Sequence, residues 1–252
     1  MSTQNASAPT RFEPPWRGAP DEIAANVALA DLANNLPRRL TVDGKVHAET
    51  LLAAAGAIAG YAAQRAVLSA MTPEQVERSN AFHMVQTVSG GLFVLGEPLA
   101  QALLPKSNAD AGKLWPLAAG AAITAGLDPN ALPAVTPMFE HVAKSLGGPR
   151  EGLPSFQDCE FQLPAKELLK ALWPFALMCF NGEISGQAVK PPVAVSQRWR
   201  PIIAALAASK MIRETAGTIP PLKALTIVIE TAIYASEMAP SMVEGPTPQF
   251  SA

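Results

Sequence analysis

Apolar residues recur at helical spacing along most of the chain, and the first such segment runs from about Asp21 to Leu36. Asp21 is placed to cap its free amides, acid sits in its first turn, and Pro37 is the expected stop. Asp43 and Gly44 then make a turn, and a long helix follows from about Val46 to Ala70. Leu51, Leu52, Ala55, Ile58, Ala59 and Ala62 give it a broad apolar face, and Gly56 and Gly60 let a neighbour approach closely, so it belongs at the centre of the core. Thr72, Pro73 and Gln75 form a capping-box pattern that starts a short helix.

The helical period breaks between Phe82 and Leu95. Two β-prone runs, Phe82 to Val88 and Leu92 to Leu95, flank Ser89, Gly90 and Gly91, whose glycines accept the positive φ of a tight connection. The pattern predicts a β-hairpin. Because an isolated two-stranded ribbon is marginal in water, it must lie on helices, meet a third strand or pair with another subunit. Gly96, Glu97 and Pro98 then open another helix.

Proline marks the helix starts of the second half. Trp115 with Pro116, Trp173 with Pro174, and Trp199 shortly before Pro201 each precede an apolar run, and the unequal spacings argue for shared helix-start chemistry rather than a solenoid repeat. Core packing is the expected role of these tryptophans. Asp128 with Pro129, Thr136 with Pro137, and Pro220 with Pro221 give further starts; Leu222, Leu225, Ile229 and Ile233 form a final helix ending before Pro240. The longest irregular connection, Gly147 to Pro164, is the best candidate for a functional loop.

The resulting fold class is mainly α (α+β): a multi-helix bundle with a small β-hairpin or short antiparallel sheet around residues 82–95. Residues 1–19 are expected to form a flexible arm or an extended strap with Phe12 and Trp16 as candidate anchors, 20–239 a single mostly helical domain, and 240–252 a tail. A chain that is 49% hydrophobic and only 16% charged has enough apolar surface for a large core and a subunit interface besides. A net charge of −2 supplies no field to attract nucleic acid or an anionic bilayer. The uncharged windows Thr50–Gln64, Leu114–Leu127 and Ala171–Gly182 fall short of the roughly 18 to 20 apolar residues that a bilayer requires, so they are expected as core helices. With no signal-peptide pattern and only two cysteines, the expected protein is soluble and cytoplasmic.

Candidate chemistry is sparse. His47 and Glu49 stand two apart at the start of the long helix, on different faces, which suits local capping by His47 better than metal binding. His83 lies on the strand face shared with Val85 and Thr87; His141 is expected at a solvated helix surface; Glu97 sits where a helix N-terminus stabilises an acid. Cys159, between Asp158 and Glu160, and Cys179, in an apolar run, are expected to be inert thiols. No motif assigns a cofactor or a metal.

The stretches His47–Leu52, Phe82–Val85 with Gly91–Glu97, Leu114–Gly120 and His141–Lys144 resemble a conserved bacterial family of uncharacterised proteins. The resemblance implies a bacterial protein with a mixed helical fold and brings no assigned reaction, cofactor or catalytic residue. Two functional readings follow. The first is a noncatalytic helical protein acting through self-association or partner binding, as a homodimer, with the hairpin edge and a charge-poor surface forming the contact. The alternative is a small-molecule enzyme or ligand-binding protein with a cleft near residues 82–97, using His47, His83, Glu97 and His141. Neither involves nucleic acid or a membrane, and whether the chain is an enzyme stays open.

Overall fold

A computed structural model describes residues 13–72, 74, 81–104, 111–185 and 194–245. Its helices, numbered along the chain, are α1 (Glu22–Arg39), α2 (Ala48–Ser69), α3 (Glu97–Leu103), α4 (Leu114–Thr124), α5 (Thr136–Ser145), α6 (Ala165–Phe180), α7 (Arg200–Glu214), α8 (Pro221–Glu237) and the single turn α9 (Pro240–Val243). Two antiparallel hairpins accompany them: β1 (Thr41–Val42) with β2 (Lys45–Val46), and β3 (His83–Gln86) with β4 (Leu92–Leu95). The mainly α expectation with a small hairpin near 82–95 therefore holds. The Asp43–Gly44 turn closes a hairpin of its own, because both residues take positive φ, 51° and 74°.

The centre of the molecule is the pair α2 and α8. Ala-rich α2 is buried on every side from Glu49 to Gln64, which requires its neighbours to approach closely all around it. Gly56 and Gly60 provide the tightest approach. A Cβ on Gly60 would overlap the carbonyl of Ala232, and one on Gly56 would overlap Thr231 Oγ1 and the Val228 carbonyl. The expected contact face of α2 is thus the seat of α8. Contrary to expectation, α2 is long and apolar enough to cross a membrane, with a mean hydropathy of 1.4 over an 18-residue window. The apolar run continues past Glu49 and Arg65, the charges that bound the uncharged stretch. Because 78% of that window is buried inside the fold, its apolar surface faces protein.

Three boundaries depart from expectation. α1 continues through Pro37 to Arg39, since a proline in the last turn removes a single amide while Leu40 N and Thr41 Oγ1 both donate to the Pro37 carbonyl, each at 3.1 Å. Asp21 does not cap α1; its carboxylate accepts instead from the Trp199 indole at 3.1 Å and from Ser196 N at 3.3 Å. Trp173 and Pro174 lie inside α6, which starts earlier, at Ala165 just after Pro164, so this pair is not a helix start. Trp115 falls within the first turn of α4, and only Trp199 stands immediately before its helix.

The tryptophans do pack. Trp173 meets the Tyr61 ring edge-on with centroids 4.7 Å apart, and buried Trp16 meets Trp199 at 6.2 Å while its indole donates to Asn26 Oδ1. Trp16 therefore anchors the described part of the N-terminal arm; Phe12 lies outside the described residues. The C-terminal stretch is likewise docked where described, with Glu244 accepting from Tyr61 Oη at 3.0 Å and pairing with Arg65 at 3.1 Å. Of the capping-box pattern, Pro73 and Gln75 lie outside the described residues.

Candidate functional site

Two features interrupt the apolar packing. The first is a polar seam where the irregular segment 146–164 crosses α2, α5 and α8. Along α8, Lys223, Glu230, Tyr234 and Glu237 recur at intervals of seven, four and three, which places them on one face. Three of them hold the segment. Lys223 Nζ lies 2.7 Å from Glu49 Oε1 and 2.9 Å from Asp158 Oδ2, Ser155 N donates to Glu230 at 2.6 Å, and Tyr234 Oη donates to Glu151 at 2.9 Å. The N-terminus of α2 holds the far end: Glu160 N donates to Glu49 at 2.8 Å, and Gln162 N to Thr50 Oγ1 at 3.0 Å. Segment 146–164 is thus a strap fastened by buried side chains.

The electrostatics show what the seam can do. Burial raises the pKa of Glu49, but Lys223 and the Glu160 amide outweigh it and hold the carboxyl below its usual range. Lys223 is pushed above its usual value, chiefly by its bond to Glu49. Burial, then the Glu49 charge, lifts the Cys159 thiol to about 12; the Asp158 charge contributes least. A lysine held charged and a thiol held neutral are neither base nor nucleophile at neutral pH. Burial also raises Glu230, opposed by Ser155, His141 and Arg150, and lifts Glu237 to about 7. Among the described residues, Glu237 Oε2 is buried without a hydrogen-bond partner.

The four sequence candidates occupy separate positions, and no hydrogen bond joins any two of them. His47 caps α2: Gln162 N donates to Thr50 Oγ1, and His47 Nδ1, 2.8 Å from that hydroxyl, also accepts from Thr50 N at 3.4 Å. This is the local role expected of it. His141 is not simply solvated; its Nε2 donates to the Leu153 carbonyl at 2.9 Å and so helps to fasten the strap. His83 is exposed on β3, and exposed Glu97 opens α3 and accepts from the Gln101 amide. Cys179 is buried, and burial followed by the Asp31 charge lifts it to about 12. Among the described residues no group of three or more His, Cys, Asp or Glu side chains is arranged to hold a metal.

The second feature is a cavity of about 520 Å³ where α2, α3, α4 and α7 meet. Ala59 and Ala63 of α2, Ala102 of α3, Leu114 of α4 and Ile202 of α7 form its walls, with Glu13 and Lys113 among its lining residues. No family model, curated protein or solved structure matches the chain. The likeness to a bacterial family therefore rests on its motifs alone.

Sequence reasoning singled out the strap but missed the side chains that hold it. The signal existed: Lys223, Glu230 and Glu237 interrupt an apolar helix at intervals of seven, the spacing of one buried polar stripe. The cavity left no comparable trace, because its walls come from helices far apart in sequence.

Proposed function

We propose that the protein is a noncatalytic homodimer, joined along the free edge of β3. The observation that carries this is the hydrogen-bonding state of the hairpin. Thr87 N donates to Gly91 O, and antiparallel pairs alternate, so Val85 with Phe93 and His83 with Leu95 are the bonded pairs. The main-chain groups of Met84 and Gln86 then point away from β4. The far edge of β4 is already used, with Ala239 N donating to Leu92 O and Phe93 bridged to Met238. Among the described residues, β3 offers the open edge.

A second copy of the same strand suits that edge. In a two-fold contact every charge near the axis faces its own image, and no Asp, Glu, Lys or Arg occurs from Ala81 to Gly96. The edge also lacks the lysine or proline that commonly protects such strands, and Met84 and Val88 are among the most exposed apolar side chains of the described chain. Antiparallel pairing of β3 with its copy gives a four-stranded sheet that covers both edges. The two unbridged cysteines support placing this dimer in a reducing compartment, the cytoplasm.

Light scattering across micromolar concentrations tests the reading. Wild type is expected as a dimer and Met84→Lys as a monomer, with Gln86→Pro giving the same result by removing an outward amide while sparing the β3–β4 bonds. A wild type that stays monomeric, or a dimer that both variants leave intact, overturns it.

A further inference from the structure

We infer that the end of α8 is a proton-operated latch for the β3–β4 hairpin: while the Glu237 carboxyl keeps its proton the residues after it stay clipped to β4, and when the proton leaves the clip opens and loosens the hairpin. Ala239 N donates to Leu92 O at 2.9 Å, Leu92 N donates to Met242 Sδ at 2.8 Å, and Phe93 is bridged to Met238. All of these contacts use the segment directly after Glu237. Beneath them Ala239 packs with Val94 and Leu99 in a small apolar cluster separate from the main core. A unit of that size opens at a lower free energy than the whole fold. Phe93, buried in the main core, stays as the anchor about which the hairpin loosens.

Glu237 stands at this junction, one turn past Tyr234 on the polar face of α8, and the Tyr234 ring meets that of Phe93 with centroids 5.8 Å apart. Among the described residues its Oε2 is buried with no hydrogen-bond partner, so a negative charge there has nothing to replace its lost hydration. The charged and titratable groups around the end of α8 are engaged elsewhere or exposed. Arg65 of α2 pairs with Glu244, Glu167 of α6 with Lys170, and Glu97 of α3 accepts from Gln101; His83 of β3 is exposed; Glu230 and Tyr234 are bonded to Ser155 and Glu151. Burial alone raises the Glu237 carboxyl, to about 7, so its proton is exchanged near neutral pH. Gln64 Nε2 donates to the carbonyls of Ser236 and Met238, at 2.8 and 2.6 Å, and so fixes the backbone on both sides of Glu237. An ionised carboxyl therefore reaches water only if Met238 and Ala239 move off β4. Because β3 is bonded to β4, the latch also regulates the proposed dimer edge; that consequence rests on the dimer reading, whereas the latch itself does not.

Hydrogen exchange of the Ala239 and Leu92 amides, read by NMR on the full chain and corrected for the intrinsic pH dependence of exchange, tests the latch. Both amides are expected to exchange faster than those at the centre of α2, through an opening smaller than global unfolding. Both are expected to lose about tenfold or more of their protection between pH 5.5 and 8, because the opened carboxyl ionises at the ordinary glutamate value. Glu237→Gln is expected to abolish that loss; Glu237→Met, which likewise has no proton to lose, takes its place should Glu237→Gln not fold. Met84→Lys, designed to be monomeric, is expected to respond as wild type does. Protection that is indifferent to pH in wild type, that falls as much in the Glu237 variant, or that matches the centre of α2 at every pH overturns the latch. A response missing from Met84→Lys overturns it too, by assigning the pH effect to the dimer contact, whereas a monomeric wild type with the expected response overturns the dimer and keeps the latch.

Discussion

Lys223 Nζ lies 2.7 Å from Glu49 Oε1, and this ion pair joins the two central helices beneath the strap, with each side chain only 11% exposed. Removing one partner leaves the other charge buried and unmatched, which costs several kcal/mol in a fully enclosed site. Asp158, the second partner of Lys223, is 77% exposed, so the site is not fully enclosed and the expected loss for Lys223→Ala is smaller, about 2 kcal/mol. Urea denaturation checks it. The double variant Lys223→Met with Glu49→Leu is expected to recover most of the loss, because it buries no charge; a double variant as unstable as the sum of its parts would refute the pairing.

The acids of α8 set an opposite dependence on pH. Glu237 titrates near 7 in the fold against 4.5 for an ordinary glutamate, because burial disfavours its carboxylate. Between those two values the unfolded chain has released a proton that the native state keeps, so stability falls as pH rises through this window and levels off above about 7. At ~1.4 kcal/mol per pH unit the full penalty is about 3 kcal/mol. Glu49 acts in the other direction: its lowered pKa gives stability that is present above the ordinary value and lost as pH falls below it. In melting temperatures from pH 4 to 9, Glu237→Gln is therefore expected to lose the decline between about 4.5 and 7, so that it gains stability at pH 8 and little at pH 5.

The contrast between these two acids shows what was legible in the sequence. The central helix, its glycine face, the hairpin and the importance of the 147–164 connection follow from local periodicity and turn chemistry, which residues encode with near neighbours. Glu49 beside His47 gave no sign of its partner, because Lys223 is brought to it only when α8 lies along α2. For the same reason Pro174 looked like a helix start: a Trp-Pro pair carries the local signal, but packing of Trp173 against Tyr61 and Phe180 carries α6 straight through it.

At Gly60 the neighbour is backbone. A methyl group there must push away the Ala232 carbonyl, whereas at Gly56 part of the overlap is with the Thr231 side chain. Gly60→Ala is expected to cost about 3 kcal/mol, the upper end for overpacking, and Gly56→Ala with Thr231→Ser no less, since Ser keeps the overlapping oxygen. Gly120, which has open space where a Cβ would go, is the control: Gly120→Ala on α4 is expected to stabilise by up to about 1 kcal/mol through helix propensity. Chemical denaturation of the three variants separates packing from propensity, and a Gly60→Ala protein as stable as Gly120→Ala would remove the close approach of α2 and α8 from the account.

The strap and the thiols meet at Cys159. Both cysteines are buried and unbridged, and with thiols at about 12 each is essentially uncharged at pH 8. The thiolate is the species that attacks a disulfide reagent, so the native protein is expected to react far more slowly than the unfolded chain at both positions. The two should respond differently to a loosened strap. Cys159 neighbours Asp158 and Glu160, whose bonds to Lys223 and Glu49 hold that part of the strap down, whereas Cys179 lies in α6 among core residues. Lys223→Ala is therefore expected to speed labelling of Cys159 by about tenfold or more, as local opening becomes easier, and to leave Cys179 nearly unchanged. Mass spectrometry of the labelled peptides reads both rates in one sample. Equal acceleration at both sites would mean that the substitution acts by global unfolding, and that the ion pair does not hold the strap in particular.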